Sequence, residues 1–128
     1  MYTYSFEKLE VWQLSRSLVR DIYLLTSNFE SGERDALVDH IRESSLSVSC
    51  NLAKSAVYKT PKEQSNCTLD AYRDLMGLLN QLILSVDLGF VEEENFRTIR
   101  PRIEELANKL NAFRNSQLQA KKSQQPKR

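Results

Sequence analysis

His40, Cys50 and Cys67 are the residues of this chain best suited to nucleophilic or metal chemistry, and their spacing argues against both. A cysteine nucleophile needs a base within hydrogen-bond reach. His40 is the only histidine, and ten residues of helix would separate it from Cys50 by about 15 Å along the axis. Cys67 stays geometrically open to such a pairing, but it falls in a periodic apolar segment, where a thiol behaves as a small hydrophobe. One histidine, with no cysteine at ligand spacing, supports neither a structural zinc nor the paired Glu-x-x-His elements of a di-iron bundle. The carboxylates of Glu92, Glu93 and Glu94, and of Glu104 and Glu105, are adjacent in sequence. Neighbouring positions on a helix diverge by about 100°, so these groups do not converge on one substrate. No glycine-rich phosphate loop occurs. The expectation is a protein that is not an enzyme, with no catalytic residue, cofactor or metal.

Binding chemistry has more support. Arg42, Lys54, Lys59 and Lys62 fall within 21 residues of one another, and the chain closes on KKSQQPKR, which adds Lys121, Lys122, Lys127 and Arg128. Cations grouped in this way contact phosphate backbones through counterion release. The plainer reading is a solvated face, since Asp39, Glu43 and Glu63 are interleaved with the first group, and a solubilising end for the second. A formal charge of +1 conceals a gradient: 12 basic and 17 acidic residues precede Leu106, whereas six basic and no acidic residues follow from there.

The elements that must position these groups are helices. With three glycines and three widely spaced prolines in 128 residues, a turn-rich β fold is disfavoured and one domain with a substantial core is expected. In FEKLEVWQLSRSLVRDIYLLT, residues Val11, Leu14, Leu18, Ile22 and Leu25 recur at steps of three and four, with Trp12, Val19 and Tyr23 beside them. SNFESGE breaks the pattern, and a second helix is expected from about Glu33. It carries Leu37, Ile41, Val48 and Leu52 on one face and Leu46, Cys50, Ala53 and Val57 on another. Its serines, mediocre helix formers, read as small packing residues that return their hydroxyl bonds to the preceding turn.

Thr60, Pro61 and Glu63 spell a capping box with proline at the first helical position. From there Leu69, Tyr72, Met76, Leu79, Ile83, Val86 and Phe90 form a continuous seam, widened by Leu75, Leu78, Leu82 and Leu88. Gly77 inside it predicts a close helix crossing. Phe96, Ile99, Ile103, Leu106, Leu110 and Phe113 mark a fourth helix running to about Leu118, with Pro101 in its first turns as a kink or a start. The prediction is an all-α, antiparallel up-down-up-down four-helix bundle over residues 1–118, and a flexible basic tail over 119–128. No basic leader precedes an apolar run, and no stretch approaches the ~20 apolar residues of a membrane span, so a cytoplasmic chain without a membrane partner is expected.

Two stretches resemble a known family. Phe6, Leu9, Val11, Trp12 and Gln13 match the F-x-x-L-x-V-W-Q opening of the four-helix bundle proteins encoded in intervening sequences of bacterial 23S ribosomal RNA genes. Ile41, Arg42, Ser47, Val48, Asn51, Leu52 and Ala53 match that family's Q-I-R-R-A-A-x-S-I-x-x-N-I-A-E-G segment, with Glu43 in place of its second arginine and Lys54-Ser55 in place of Glu-Gly. The resemblance implies a homopentamer. Relatives in diversity-generating retroelements, the accessory variability determinants, are similar pentamers that bind nucleic acid and a reverse transcriptase through basic surfaces. The expected function is therefore a homo-oligomeric scaffold for structured RNA or a nucleic-acid enzyme, with a protein-docking module lacking any nucleic-acid role as the alternative.

Overall fold

The computed structural model describes residues 1–27, Phe29 and residues 35–123. The expected start of the second helix at Glu33 lies outside the described residues. Four α-helices and no strand occur among those described: α1 (Glu10–Ser27), α2 (Asp35–Ser55), α3 (Pro61–Asp87) and α4 (Glu93–Ser123), preceded by a 3-10 turn at Ser5–Lys8. The helices pack in a ring, α1 on α2 and α4, α3 on α2 and α4, with no close backbone approach on either diagonal among the described residues. Polar links run in opposite numerical order along two seams. Glu10 meets Lys109 and Asp21 meets Arg102 between α1 and α4; Ser44 meets Gln81 and Asn51 meets Asp74 between α2 and α3. This order is compatible with the up-down-up-down prediction.

The α3 start follows the capping logic. Thr60 has extended backbone angles, its Oγ1 accepts the Glu63 backbone N–H at 3.2 Å, and Pro61 occupies the first helical position. The Glu63 carboxylate accepts the Thr60 hydroxyl at 2.7 Å, completing the exchange through the side chain. At the other end, Phe90 N–H reaches back to the Ser85 carbonyl and Gly89 N–H to that of Val86, with Gly89 at φ +78°. This is the Schellman closure, which needs a left-handed residue that glycine adopts without strain.

Ile22, Ile41, Val48, Leu52, Leu75, Leu78, Leu82 and Ile103 form the dry centre. Burial in α4 follows the predicted stripe from Phe96 to Leu110. In α3 the stripe is rotated. Ser65, Thr68, Ala71, Leu75, Leu78, Leu82 and Ser85 are buried, whereas Tyr72, Met76, Leu79 and Val86 are half-buried and Ile83 is 36% exposed. The buried stripe is set by where α2 and α4 sit, so Leu75, Leu78 and Leu82, predicted to widen the seam, are its middle, while Leu88, predicted with them, is 62% exposed just past the helix end.

Gly77 does not mark a close crossing within the chain, because a Cβ built there meets nothing within 4 Å. The fourth helix extends past Leu118 to Ser123, so Lys121 and Lys122 fall in its last turn. Pro101 lies inside α4, eight residues after its start, and its position is exposed, so water can reach the carbonyl one turn back that loses its N–H donor.

Candidate nucleic-acid interface

The serine-rich α2 divides its polar residues by task. Ser45, Ser49 and Ser55 each donate to the carbonyl three residues back, at 2.8, 2.9 and 2.7 Å, as expected for small residues that must silence their own hydroxyls. Ser44 and Ser47 instead reach across to α3. Ser47 Oγ donates to Asp74 Oδ2 at 2.6 Å, and Asn51 Nδ2 donates to the same oxygen at 2.8 Å. Two successive turns of α2 thereby hold one half-buried carboxylate, an arrangement that fixes the register of α2 against α3. Asp74 was not singled out by its sequence context; its partners are 23 and 27 residues away, beyond any local pattern.

Arg42 serves a comparable purpose between α1 and α2. Its Nε donates to Thr26 Oγ1 at 2.9 Å, and its guanidinium carbon lies 4.5 Å from the Tyr23 ring centroid. Thr26 is fully buried, with its own hydroxyl returned to Ile22 at 2.8 Å. Lys54 is twelve residues further along α2, about 18 Å at helical rise. The structure therefore does not bring Arg42 together with Lys54, Lys59 and Lys62 as one surface.

Those three lysines are exposed at the α2–α3 turn, and the fold adds other cations to their end of the bundle. Buried Thr68, two turns into α3, donates to Gln117 Oε1 at 2.8 Å. Lys109 Nζ meets Glu10 at 2.8 Å, and this contact holds the lysine's ionisation above its ordinary range. The starts of α1 and α3 thus share one pole with the end of α4. By position, residues 1–10, 50–66 and 109–123 carry eight basic and three acidic residues. Residues 20–27, 35–46 and 80–105, at the opposite pole, carry five basic and ten acidic residues. Arg114 also belongs to the basic pole; its Nε is buried with no hydrogen-bond partner among the described residues. Sequence reasoning missed Arg114 because nothing local distinguishes it. Lys121 and Lys122 lie in the closing turn of α4, while Lys127 and Arg128 are outside the described residues.

The two thiols lie at the same end of the bundle, where the charge of Lys54 reaches Cys67. Cys50 is exposed and Cys67 half-buried; burial first, then the charge of Asp70, pushes the Cys67 thiol up from its usual value, which disfavours the thiolate. Among the described residues no three His, Cys, Asp or Glu side chains gather to hold a metal ion, and no helix is long and apolar enough to cross a membrane.

The profile of the 23S rRNA-intervening sequence protein matches residues 7–112. The chain belongs to that family. No curated protein matches it. Within this intervening-sequence protein the family-like residues work on the fold. Trp12 packs edge-on against Phe6 at 5.1 Å, Gln13 Nε2 donates to the Glu7 carbonyl at 2.9 Å, and Ser47 with Asn51 holds Asp74. The basic end is only partly inside the matched range, since Arg114, Lys121 and Lys122 follow residue 112.

Proposed function

We propose that this intervening-sequence protein is a non-enzymatic, homo-oligomeric scaffold, an up-down-up-down bundle assembled as a pentamer, that binds structured RNA or a ribonucleoprotein partner in the cytoplasm. The observation that carries the reading is the segregation of charge along the bundle axis. It gathers Lys54, Lys59, Lys62 and the cations of late α4 at one pole, where they match the phosphates of a folded RNA. Family membership supports the assembly, and so do the apolar side chains left exposed on the outer face of α2 and in the turn after it, where Leu46 is 45% and Val57 77% exposed. A second copy would cover such side chains.

Fluorescence anisotropy with structured RNA and duplex DNA at two salt concentrations tests the reading. The wild-type chain binds and releases as salt rises; the triple variant Lys54→Gln, Lys59→Gln, Lys62→Gln binds more weakly, and on duplex DNA its log-log salt slope is flatter by roughly 0.9 for each phosphate it no longer neutralises. Unchanged binding in that variant would remove these lysines from the site. Absence of binding at low salt would transfer the assignment to protein docking, for which the exposed apolar side chains of α2 are the favouring observation.

A further inference from the structure

Before α1 the chain displays an aromatic row that neither the fold nor the basic pole explains. Tyr2 and Tyr4 meet edge-to-face at 4.8 Å, Tyr4 stacks on Phe6 at 6.5 Å, Phe6 meets Trp12 at 5.1 Å, and the Arg16 guanidinium lies 5.5 Å from the Trp12 ring. The row runs from half-buried at Trp12 and Phe6 to solvent, with Tyr4 61% and Tyr2 74% exposed. Tyr4 has extended backbone angles and Phe6 follows inside the 3-10 turn, and the successive ring contacts place Tyr2, Tyr4 and Phe6 in one row. The segment is also held down: the Tyr4 backbone N–H donates to Glu7 Oε2 at 2.7 Å, Glu7 N–H returns to the Tyr4 carbonyl at 3.1 Å, and Gln13 holds the Glu7 carbonyl. Tyr4 is thus anchored through its backbone, and its ring and that of Tyr2 are left in water against each other. A groove beside them is lined by Thr3, Gln13, Arg16, Ser17 and Arg20, with the two arginines one helical turn apart.

We propose that this row is a stacking platform for unpaired bases of single-stranded RNA, its phosphates tracked by Arg16 and Arg20. Exposed aromatic faces beside guanidinium groups are the chemistry by which proteins hold single strands without reading sequence. The charge complements a polyanion, and Glu7, the one carboxylate lining the groove, is already engaged with the Tyr4 N–H. Tyr2 and Tyr4 precede the family match at residue 7, whereas Trp12, Arg16 and Arg20 lie within it. The platform deepens the RNA reading above and rests on it: folded RNA whose phosphates meet the basic pole offers an unpaired end or loop to the start of α1, at the same pole.

The test uses the full chain, a fluorescent oligouridylate of about a dozen nucleotides, within the range that single-strand sites cover, and an RNA duplex of similar length. Tyr2→Leu with Tyr4→Leu is expected to weaken oligouridylate binding about tenfold for each ring removed, while Tyr2→Phe with Tyr4→Phe retains it and duplex binding is unchanged in both. Oligouridylate is also expected to quench the fluorescence of Trp12, the only tryptophan. Equal affinity of the leucine variant and the wild type for oligouridylate would overturn the platform; so would a parallel loss of duplex binding. If the leucine substitutions change the oligomer mass in sedimentation while oligouridylate affinity holds, the row meets a second copy and the proposal fails. Wild-type protein that binds the duplex but not oligouridylate overturns this inference alone; protein that binds neither overturns the RNA reading with it.

Discussion

Asp74 shows what a single side chain can do here. One carboxylate oxygen accepts from both Ser47 and Asn51, and its removal leaves two donors at a helix seam without their partner. Asp74→Ala is therefore expected to lower the unfolding free energy by about 2 kcal/mol, measured by urea denaturation. Ser47→Ala, which removes one donor and leaves the other, should cost about half as much. Wild-type stability in Asp74→Ala would mean that water replaces the carboxylate at no net loss. The cysteines make a second residue-level comparison. With its thiol pushed up by burial and by Asp70, Cys67 should react with iodoacetamide several-fold more slowly than exposed Cys50 near pH 8, and should gain on it as the pH rises through the Cys67 titration. Peptide mapping of labelled protein reads both rates; faster labelling of Cys67 would contradict its burial. Ser47 and Asn51 were recognisable as part of a pattern in the sequence. Their shared acceptor was not, because hydrogen bonds between helices leave no trace in local spacing.

At the level of the helices, the two described glycines should respond in opposite directions. Gly77 sits in the middle of α3 with open space where a Cβ would go, so Gly77→Ala should stabilise by about 1 kcal/mol through helix propensity alone. Gly89 closes α3 at φ +78°, so Gly89→Ala should destabilise by about 1 kcal/mol through left-handed backbone strain. Thermal unfolding of both variants checks the pair, and a destabilised Gly77→Ala would show that another copy packs closely there. The α3 start was legible because capping is local: Thr60, Pro61 and Glu63 act within one turn. The buried stripe of α3 was not. With leucines at 69, 75, 78, 79 and 82 and further apolar residues among them, the helix is apolar over too much of its circumference for periodicity to choose a centre. Only the placement of α2 and α4 selects Leu75, Leu78 and Leu82 over Ile83. Phe29 was hidden for a related reason, being set in a polar stretch yet buried and 6.4 Å from the Phe90 ring.

For the whole molecule, the C-terminal excess of cations is visible by counting, but its meeting with the α2–α3 turn requires the topology, since Lys59 and Lys121 are brought to one pole only by the return of α4 along α3. A truncation after Leu118 removes Lys121, Lys122, Lys127 and Arg128 while keeping Gln117, the partner of Thr68. It should keep the fold, as judged by circular dichroism, and weaken RNA binding less than the triple lysine variant does. If the truncation abolishes binding and the triple variant does not, the site lies beyond Leu118 and not at the turn.

The charge separation described for one bundle has a geometric consequence for an assembly. In a closed ring whose bundle axes follow the symmetry axis, every protomer's electric dipole points the same way and the dipoles add. Such a disc would be chemically two-sided, one surface drawn to polyanions and the other repelled by them. It would seat RNA on a single side, with every protomer's site facing the same way.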